Sequence, residues 1–233
     1  MKTIGLLGGM SWESTSIYYQ LLNRLTRERL GGLHSAECLL WSFDFAEIEA
    51  AQARGDWQLA TQMMIAAAER LERGGAECLV ICTNTMHKMA DDVQAASAVP
   101  LIHIADATAP AITEAECRTP LLLATGYTME QDFYKGHLRE RHGIEVRIPE
   151  PNDRAEVHRI IYEELCRGEV WADSKQTFLD IVEKEVGGGA DAVIFGCTEI
   201  GLLVRPEDFS IPAFDTTVLH VRAALDFALS QST

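Results

Sequence analysis

The chain has 233 residues, of which 47% are hydrophobic, and this is enough for one large α/β domain or two small ones. Its formal net charge of −15 argues against nucleic acid and anionic membrane surfaces as partners. Its apolar runs are all shorter than the roughly 20 residues that span a bilayer.

The N-terminus and the cysteines indicate the compartment. Met1–Ile4 enters a strand directly and does not resemble a signal peptide. The six cysteines lack CxxC spacing, which is typical of reduced thiols and not of disulfides or a zinc site. We therefore expect a cytoplasmic protein without a bound metal.

The first half of the chain alternates strands with helices, which predicts a parallel sheet with right-handed crossovers. An apolar strand leads through Gly8 and Gly9 into a helix with Ser11 as its N-cap. These glycines do not form GxGxxG, so a dinucleotide cofactor is not indicated. The later predicted elements are strands at 37–42, 78–82 and 101–104, helices at 56–73 and 86–96, and a loop or short helix at 44–52.

The second half repeats this pattern. Residues 119–125 resemble residues 3–9 at a shift of 116, which also pairs Tyr18 with Tyr134 and Leu22 with Leu138. The further predicted elements are strands at 145–147, 193–195 and 211–214, and helices at 130–141, 154–167, 174–186 and 218–229. Asp106–Thr108 and Asp215–Thr217 are interpreted as the crossings between the halves.

A second repeat joins residues 74–85 to residues 188–199 at a shift of 114, which places Thr83 opposite Cys197. A period of half the chain indicates a duplicated domain. The sequence thus predicts two pseudosymmetric α/β half-domains with parallel sheets and the active site in the cleft between them. The halves are expected at 1–105, with the helix 216–233 packing back on it, and at 106–215.

Three motifs occur in the turns of these repeats, at Gly8–Met10, Asn84–His87 and Gly196–Glu199. In residue type and order they resemble the motifs of the aspartate/glutamate racemase family of cofactor-independent amino-acid racemases. The resemblance implies a free amino acid as substrate, no cofactor and a homodimer. It also implies a two-base mechanism, in which one group removes the α-proton and a second returns a proton to the opposite face.

The resemblance assigns Cys197 as the main base and Thr83 as the opposing proton relay. Candidate substrate-binding residues are Met10, Ser11, Gln52, Asn84, Thr85, Thr125, Tyr127, Thr128, Thr198 and Glu199, with His87 behind them. Thr83 stands where the family usually has cysteine, and a hydroxyl is too weak an acid to match a thiol near neutral pH. This departure predicts one-handed behaviour, as in the L-specific subgroup.

The sequence does not decide which amino-acid side chain the substrate carries. Family members that act on aspartate carry a lysine at the position that Cys166 takes here, so aspartate, glutamate and a neutral relative such as homoserine are all candidates. Two other functions also stay open. A decarboxylase of malonate-type acids would keep only the second cysteine, and an amino-acid-binding protein would have lost catalysis through Thr83.

Overall fold

A computed structural model describes residues 1–230, which group into two compact units. One unit combines Met1–His103 with the segment from His220 onwards, and the other is Ile104–Leu219. Within the described residues, every helix is too short or too polar to cross a bilayer.

The elements alternate along the chain as the sequence predicts. The strands are β1 Ile4–Gly8, β2 Cys38–Ser42, β3 Cys78–Ile81, β4 Leu121–Ala124, β5 Val193–Gly196 and β6 Ala213–Asp215. The helices are α1 Trp12–Leu30, α2 Phe45–Ala53, α3 Trp57–Arg73, α4 Ala90–Ala95, α5 Ile104–Glu114, α6 Gly126–Glu130, α7 Asp132–His142, α8 Pro151–Glu163, α9 Ala172–Gly187, α10 Ile200–Leu203 and α11 Thr216–Leu229. Short 3-10 turns cover Thr85–Met89, Leu165–Arg167 and Pro206–Asp208.

The sheet of the first unit is parallel, with the order β2–β1–β3. Side chains of β1 enter two apolar clusters, one containing Leu7 and residues of α3, the other containing Leu6 and residues of α1 and α11. A strand covered on both faces needs a continuous apolar run, which explains the burial of all of β1. The strand predicted at 101–104 shrinks to a single bridge between Leu101 and Leu79, because α5 begins at Ile104.

The sheet of the second unit is also parallel, with the order β4–β5–β6, and Arg147 adds a single bridge beside Leu121. The pairing confirms the duplication read from the sequence. Shifts of 116 and 114 carry the pair Leu7 and Ile81 onto Leu123 and Phe195, which are paired here. The mixed α/β class and the parallel sheets are therefore confirmed.

Two helical segments differ from the sequence prediction. Asp106–Thr108, expected as a crossing, lies inside helix α5, which continues through Pro110 although proline lacks a backbone N–H. The single helix predicted at 86–96 is divided into the 3-10 turn Thr85–Met89 and α4. Met89, where the two meet, has φ −105° and ψ 14°, outside α-helical geometry.

A buried histidine ties α11 into the core of the first unit. His220 Nε2 lies 2.6 Å from the carbonyl oxygen of Ile102, and its Nδ1 lies 2.9 Å from the hydroxyl of Tyr18. Because a carbonyl only accepts, Nε2 carries the hydrogen, and Nδ1 accepts from Tyr18. Burial lowers the pKa of His220 to about 4, which keeps the imidazole neutral.

Protonation of His220 makes the stability of this unit sensitive to acid. Since the folded pKa of about 4 lies below the ordinary 6.5, the unfolded chain binds the proton first as the pH falls. The free energy of unfolding should drop between these two values by about 1.4 kcal/mol per pH unit from this group alone. Urea titrations from pH 7.5 to 4.5 should show a shallower dependence for His220→Gln, whose amide keeps one donor and one acceptor.

His34→Gln, a change at an exposed histidine, should keep the wild-type pH dependence. Equal slopes for wild type and His220→Gln would show that His220 is not the group that titrates.

Candidate active site

The predicted site residues of the first unit leave the sheet at one edge. β1 and β3 are parallel neighbours, so Gly9–Ser11 and Thr83–Thr85 follow strand ends that lie side by side. Gly9 makes the turn possible, because its φ is +82° and a Cβ there would lie 2.4 Å from the backbone nitrogen of Phe43. The turn after β1 is thus restricted to glycine at this position.

Hydrogen bonds fix the turn after β1. Ser11 caps α1, accepting at Oγ from the backbone N–H of Ser14 at 3.2 Å. The Thr15 hydroxyl accepts from the Gly9 N–H at 2.7 Å and donates to the Ser11 carbonyl at 2.8 Å. Met10 and Ser11 are both buried, so packing as well as hydrogen bonds holds this turn in place.

The turn after β3 is held by His87. Thr83 is half-buried, and Asn84 and Thr85 are buried. His87 Nδ1 lies 2.8 Å from the Thr83 carbonyl oxygen, so Nδ1 is the donor. The His87 ring packs edge-on against His220 at a centroid distance of 5.5 Å. His87 therefore positions the backbone of Thr83, in line with a place behind the candidate substrate-binding residues.

Gln52 reaches the same turn from α2. Its buried amide nitrogen lies 3.0 Å from the sulfur of Met86, within the 3-10 turn Thr85–Met89. Arg54, the nearest basic residue along the chain, is exposed. A buried amide can recognise a neutral or an anionic group, whereas it does not supply a positive charge.

The second unit presents a matching edge. Thr125 follows β4 and Cys197 follows β5, and the last residues of these strands, Ala124 and Gly196, are paired. Thr125 caps α6, and its hydroxyl lies 3.2 Å from the hydroxyl of Thr128. Side-chain oxygens, backbone amides and a thiol thus meet at one end of the sheet.

Cys197 stands beside a buried carboxylate. Its sulfur lies 2.9 Å from Glu199 Oε2, while the sulfur of Cys166 lies 3.8 Å from Glu199 Oε1. Burial raises the pKa of Cys197 well above its ordinary value, and the charge of Glu199 and then the neighbouring Cys166 raise it further. The resting sulfur is therefore a thiol that donates to Glu199, and Glu199 is its nearest proton acceptor.

His158 also supports the site, and the sequence contains no signal for it. Its Nδ1 accepts a hydrogen bond from the backbone N–H of Gly126 at 3.1 Å, next to the turn that carries Thr125, Tyr127 and Thr128. The residue comes from α8, 32 positions further along the chain. Burial lowers the pKa of His158, which favours the neutral form that can accept this hydrogen bond.

Each unit therefore gathers its own share of the predicted residues. In the first unit these are Met10, Ser11, Gln52, Thr83, Asn84, Thr85 and His87. In the second unit they are Thr125, Tyr127, Thr128, Cys197, Thr198 and Glu199. Their catalytic and substrate-binding roles stay predictions.

A family model described as Asp/Glu/Hydantoin racemase matches residues 7–224. The chain belongs to this family. It is accordingly an enzyme, an isomerase of the racemase type, as the sequence motifs predict. The match spans both predicted strand-end turns, so it includes the motifs around Asn84 and Cys197.

Individual relatives agree with this membership. A solved structure from Yersinia pestis, described as a candidate Asp/Glu racemase, is 53% identical over 99% of this chain and 100% of that one, with a TM-score of 0.92. A solved aspartate racemase homologue from Pyrococcus horikoshii is 36% identical over 99% and 100% of the two chains, with a TM-score of 0.86. A Bacillus subtilis protein named broad specificity amino-acid racemase is 23% identical over 72% of this chain and 71% of its own length.

Replacing Glu199 tests its influence on the thiol of this racemase. Glu199→Gln removes the negative charge beside Cys197, so the pKa of Cys197 should fall and the thiolate should form at lower pH. Alkylation of Cys197 by iodoacetamide, followed by peptide mass spectrometry between pH 7 and 10, should become faster. Glu163→Gln, at an exposed position of the same unit, should leave the rate unchanged. A slower or unaltered rate in Glu199→Gln would contradict this electrostatic account.

Removing His158 should loosen the turn at Gly126. In His158→Ala the Gly126 amide loses an acceptor, and a net hydrogen bond of about 1 kcal/mol corresponds to roughly fivefold faster exchange. Acidification should act in the same direction in the wild type, since protonated Nδ1 no longer accepts. Amide exchange of Gly126 measured by NMR checks both effects. His34→Ala, an exposed histidine, provides the control, and unchanged Gly126 protection in His158→Ala would refute the role.

Proposed function

We propose that this racemase interconverts the enantiomers of a free amino acid without pyridoxal phosphate, by removing the α-proton and returning a proton to the opposite face. The observation that carries this assignment is the thiol of Cys197 at 2.9 Å from the buried carboxylate of Glu199. A thiol with an adjacent acceptor can act as a proton donor and, once deprotonated, as a base.

The proton balance follows from this pair. In one direction, Glu199 accepts the thiol proton, and the Cys197 thiolate takes the proton from the α-carbon, leaving the bonding electrons on the substrate. Thr83 or its water then gives a proton to the opposite face of the carbanion. In the other direction, Thr83 or its water removes the α-proton, and the thiol gives its proton to the carbanion. Exchange with solvent restores the resting protons of Cys197, Glu199 and the Thr83 side in both directions. No electrons are exchanged with any other group, so the scheme balances without an oxidant or reductant.

Thr83 is proposed to serve the opposite face, directly or through a water that it holds. His87 supports this role by fixing the Thr83 carbonyl at 2.8 Å, which orients the residue's backbone. Because a hydroxyl is a far weaker acid than a thiol, the two faces are chemically unequal. We therefore expect the enzyme to process one enantiomer, the L form, much faster than the other.

The remaining candidate residues are proposed to hold the carboxylate and ammonium groups of the substrate. The hydroxyls of Ser11 and Thr125 and the side chains of Asn84 and Thr85 supply polar atoms at the two strand edges. Buried polar groups at such edges favour a small ligand with matching charges. Further proposed substrate-binding residues are Met10 and Gln52 in the first unit and Tyr127, Thr128 and Thr198 in the second.

The proposed side-chain preference includes neutral amino acids. Cys166 takes the position at which similar family members that act on aspartate have a lysine. Its side chain is a thiol beside the Glu199 carboxylate and supplies no positive charge. Arg54 and Arg167 are exposed. A neutral polar substrate such as homoserine should therefore react at least as well as aspartate or glutamate. The proposed setting is a cytoplasmic homodimer, which light scattering of the purified protein would test.

The decisive experiment follows α-proton exchange in D₂O with both enantiomers of aspartate, glutamate and homoserine. The wild type should incorporate deuterium at the α-carbon, fastest with an L-enantiomer, as read by mass spectrometry. Cys197→Ser should lose about 100-fold or more of this rate, the usual effect of removing a general acid or base. Cys117→Ser, a half-buried thiol of the same unit, should retain it.

The same assay separates the two rival functions. A decarboxylase that keeps only the second cysteine would release CO₂ from a malonate-type acid and show no exchange with amino acids. A binding protein would show no exchange until Thr83→Cys restores a second thiol. Exchange that persists in Cys197→Ser would remove Cys197 as the main base.

A further inference from the structure

Two histidines of the second unit converge on one carboxylate oxygen, away from the strand-end turns. His137 Nε2 lies 2.6 Å from Asp106 Oδ1, and His142 Nε2 lies 2.7 Å from the same atom. Asp106 is in the first turn of α5, whereas both histidines are on α7. None of the three takes part in the proposed racemisation.

These donor atoms are the kind that zinc and its neighbours in the transition series prefer. Imidazole nitrogen suits Zn²⁺, Cu²⁺ and Ni²⁺, and a carboxylate oxygen completes many such sites. Zinc bonds of about 2.0–2.2 Å place the ligand atoms of a tetrahedron roughly 3.3 Å apart. The two nitrogen–oxygen contacts therefore need to open by about 0.6 Å, and the two imidazole rings, whose centroids are 6.1 Å apart, need to turn their Nε2 atoms towards one another.

The surroundings also favour a cation. His142 is the last residue of α7, and the C-terminus of a helix carries partial negative charge. The side chains of His137, His142 and Asp106 are 11%, 27% and 40% exposed, so an ion can reach the cluster from solvent. The overall charge of −15 further favours cations near the surface.

We propose that Asp106 Oδ1, His137 Nε2 and His142 Nε2 form a binding site for a divalent transition-metal ion of the Zn²⁺ class. Three protein ligands leave a fourth position for water. In the present arrangement each imidazole donates a hydrogen to the carboxylate, because a carboxylate only accepts. The metal takes the place of these hydrogens, so binding releases protons and weakens in acid.

Isothermal titration of the full-length protein with ZnCl₂ and with NiCl₂, at pH 7.5 without chelators, tests the site. The wild type should bind one equivalent, and binding should weaken at least about tenfold at pH 5.5. His142→Gln should weaken it at least about tenfold, since even indirect supports of a metal site cost that much. Ring signals of His137 and His142 in NMR spectra should shift with the added metal.

Two variants guard against other ligands. His34→Gln, at an exposed histidine, should bind as the wild type does. Cys197→Ser should also retain binding, because the site contains no sulfur. The proposal fails if the wild type binds no metal, if His142→Gln binds as tightly as the wild type, or if binding is lost in Cys197→Ser. Circular dichroism of His142→Gln, expected to match the wild type, excludes unfolding as the cause of lost binding.

Discussion

The pairing of two parallel strands within each unit determines where the chemistry can occur. Leu7 faces Ile81 across β1 and β3, and Leu123 faces Phe195 across β4 and β5. These strands are buried on both faces, so a slip in register would misplace apolar side chains throughout the core. A fixed register fixes the strand ends, and the polar turns that follow are therefore brought side by side within each unit.

The parts of the fold that depend on nearby residues could be predicted from the sequence. Apolar runs bounded by glycine identify the strands, and the repeat identifies which strands correspond. Side chains such as Ser11 show where a helix begins, because a cap acts within three residues of its own position. The prediction failed at Asp106–Thr108, which was interpreted as a crossing because it follows the last predicted strand of the first half. Residues of α5 such as Ile104 and Ile112 pack into the core of the second unit, and this tertiary contact is not visible in the local pattern.

The supporting contacts of the candidate site could not be predicted, because they join residues distant in the chain. His158 accepts from Gly126, and His220 bridges Tyr18 and Ile102, yet single histidines carry no periodic or spacing signal. The same holds for the carboxylate of Asp106, which lies 31 and 36 residues before its two imidazole partners. Such contacts follow from how helices pack, which the local pattern does not encode.

The proposed mechanism relies on one thiol, and the electrostatics of Cys197 bear on how that thiol could act. Burial and the charge of Glu199 raise the pKa of Cys197 and keep its sulfur protonated. The thiolate forms when the proton moves to Glu199 across the 2.9 Å contact between the sulfur and Glu199 Oε2. Each pKa unit of that shift corresponds to a cost of about 1.4 kcal/mol for forming the thiolate. The positive charge of a bound substrate ammonium group can offset part of this cost, because it stabilises the negatively charged thiolate. Thr83 cannot undergo the same change, because its hydroxyl does not ionise near neutral pH. The two duplicated turns therefore carry a thiol at Cys197 and a hydroxyl at Thr83 after strands of equivalent register, and the proposed mechanism accordingly expects one enantiomer to react faster.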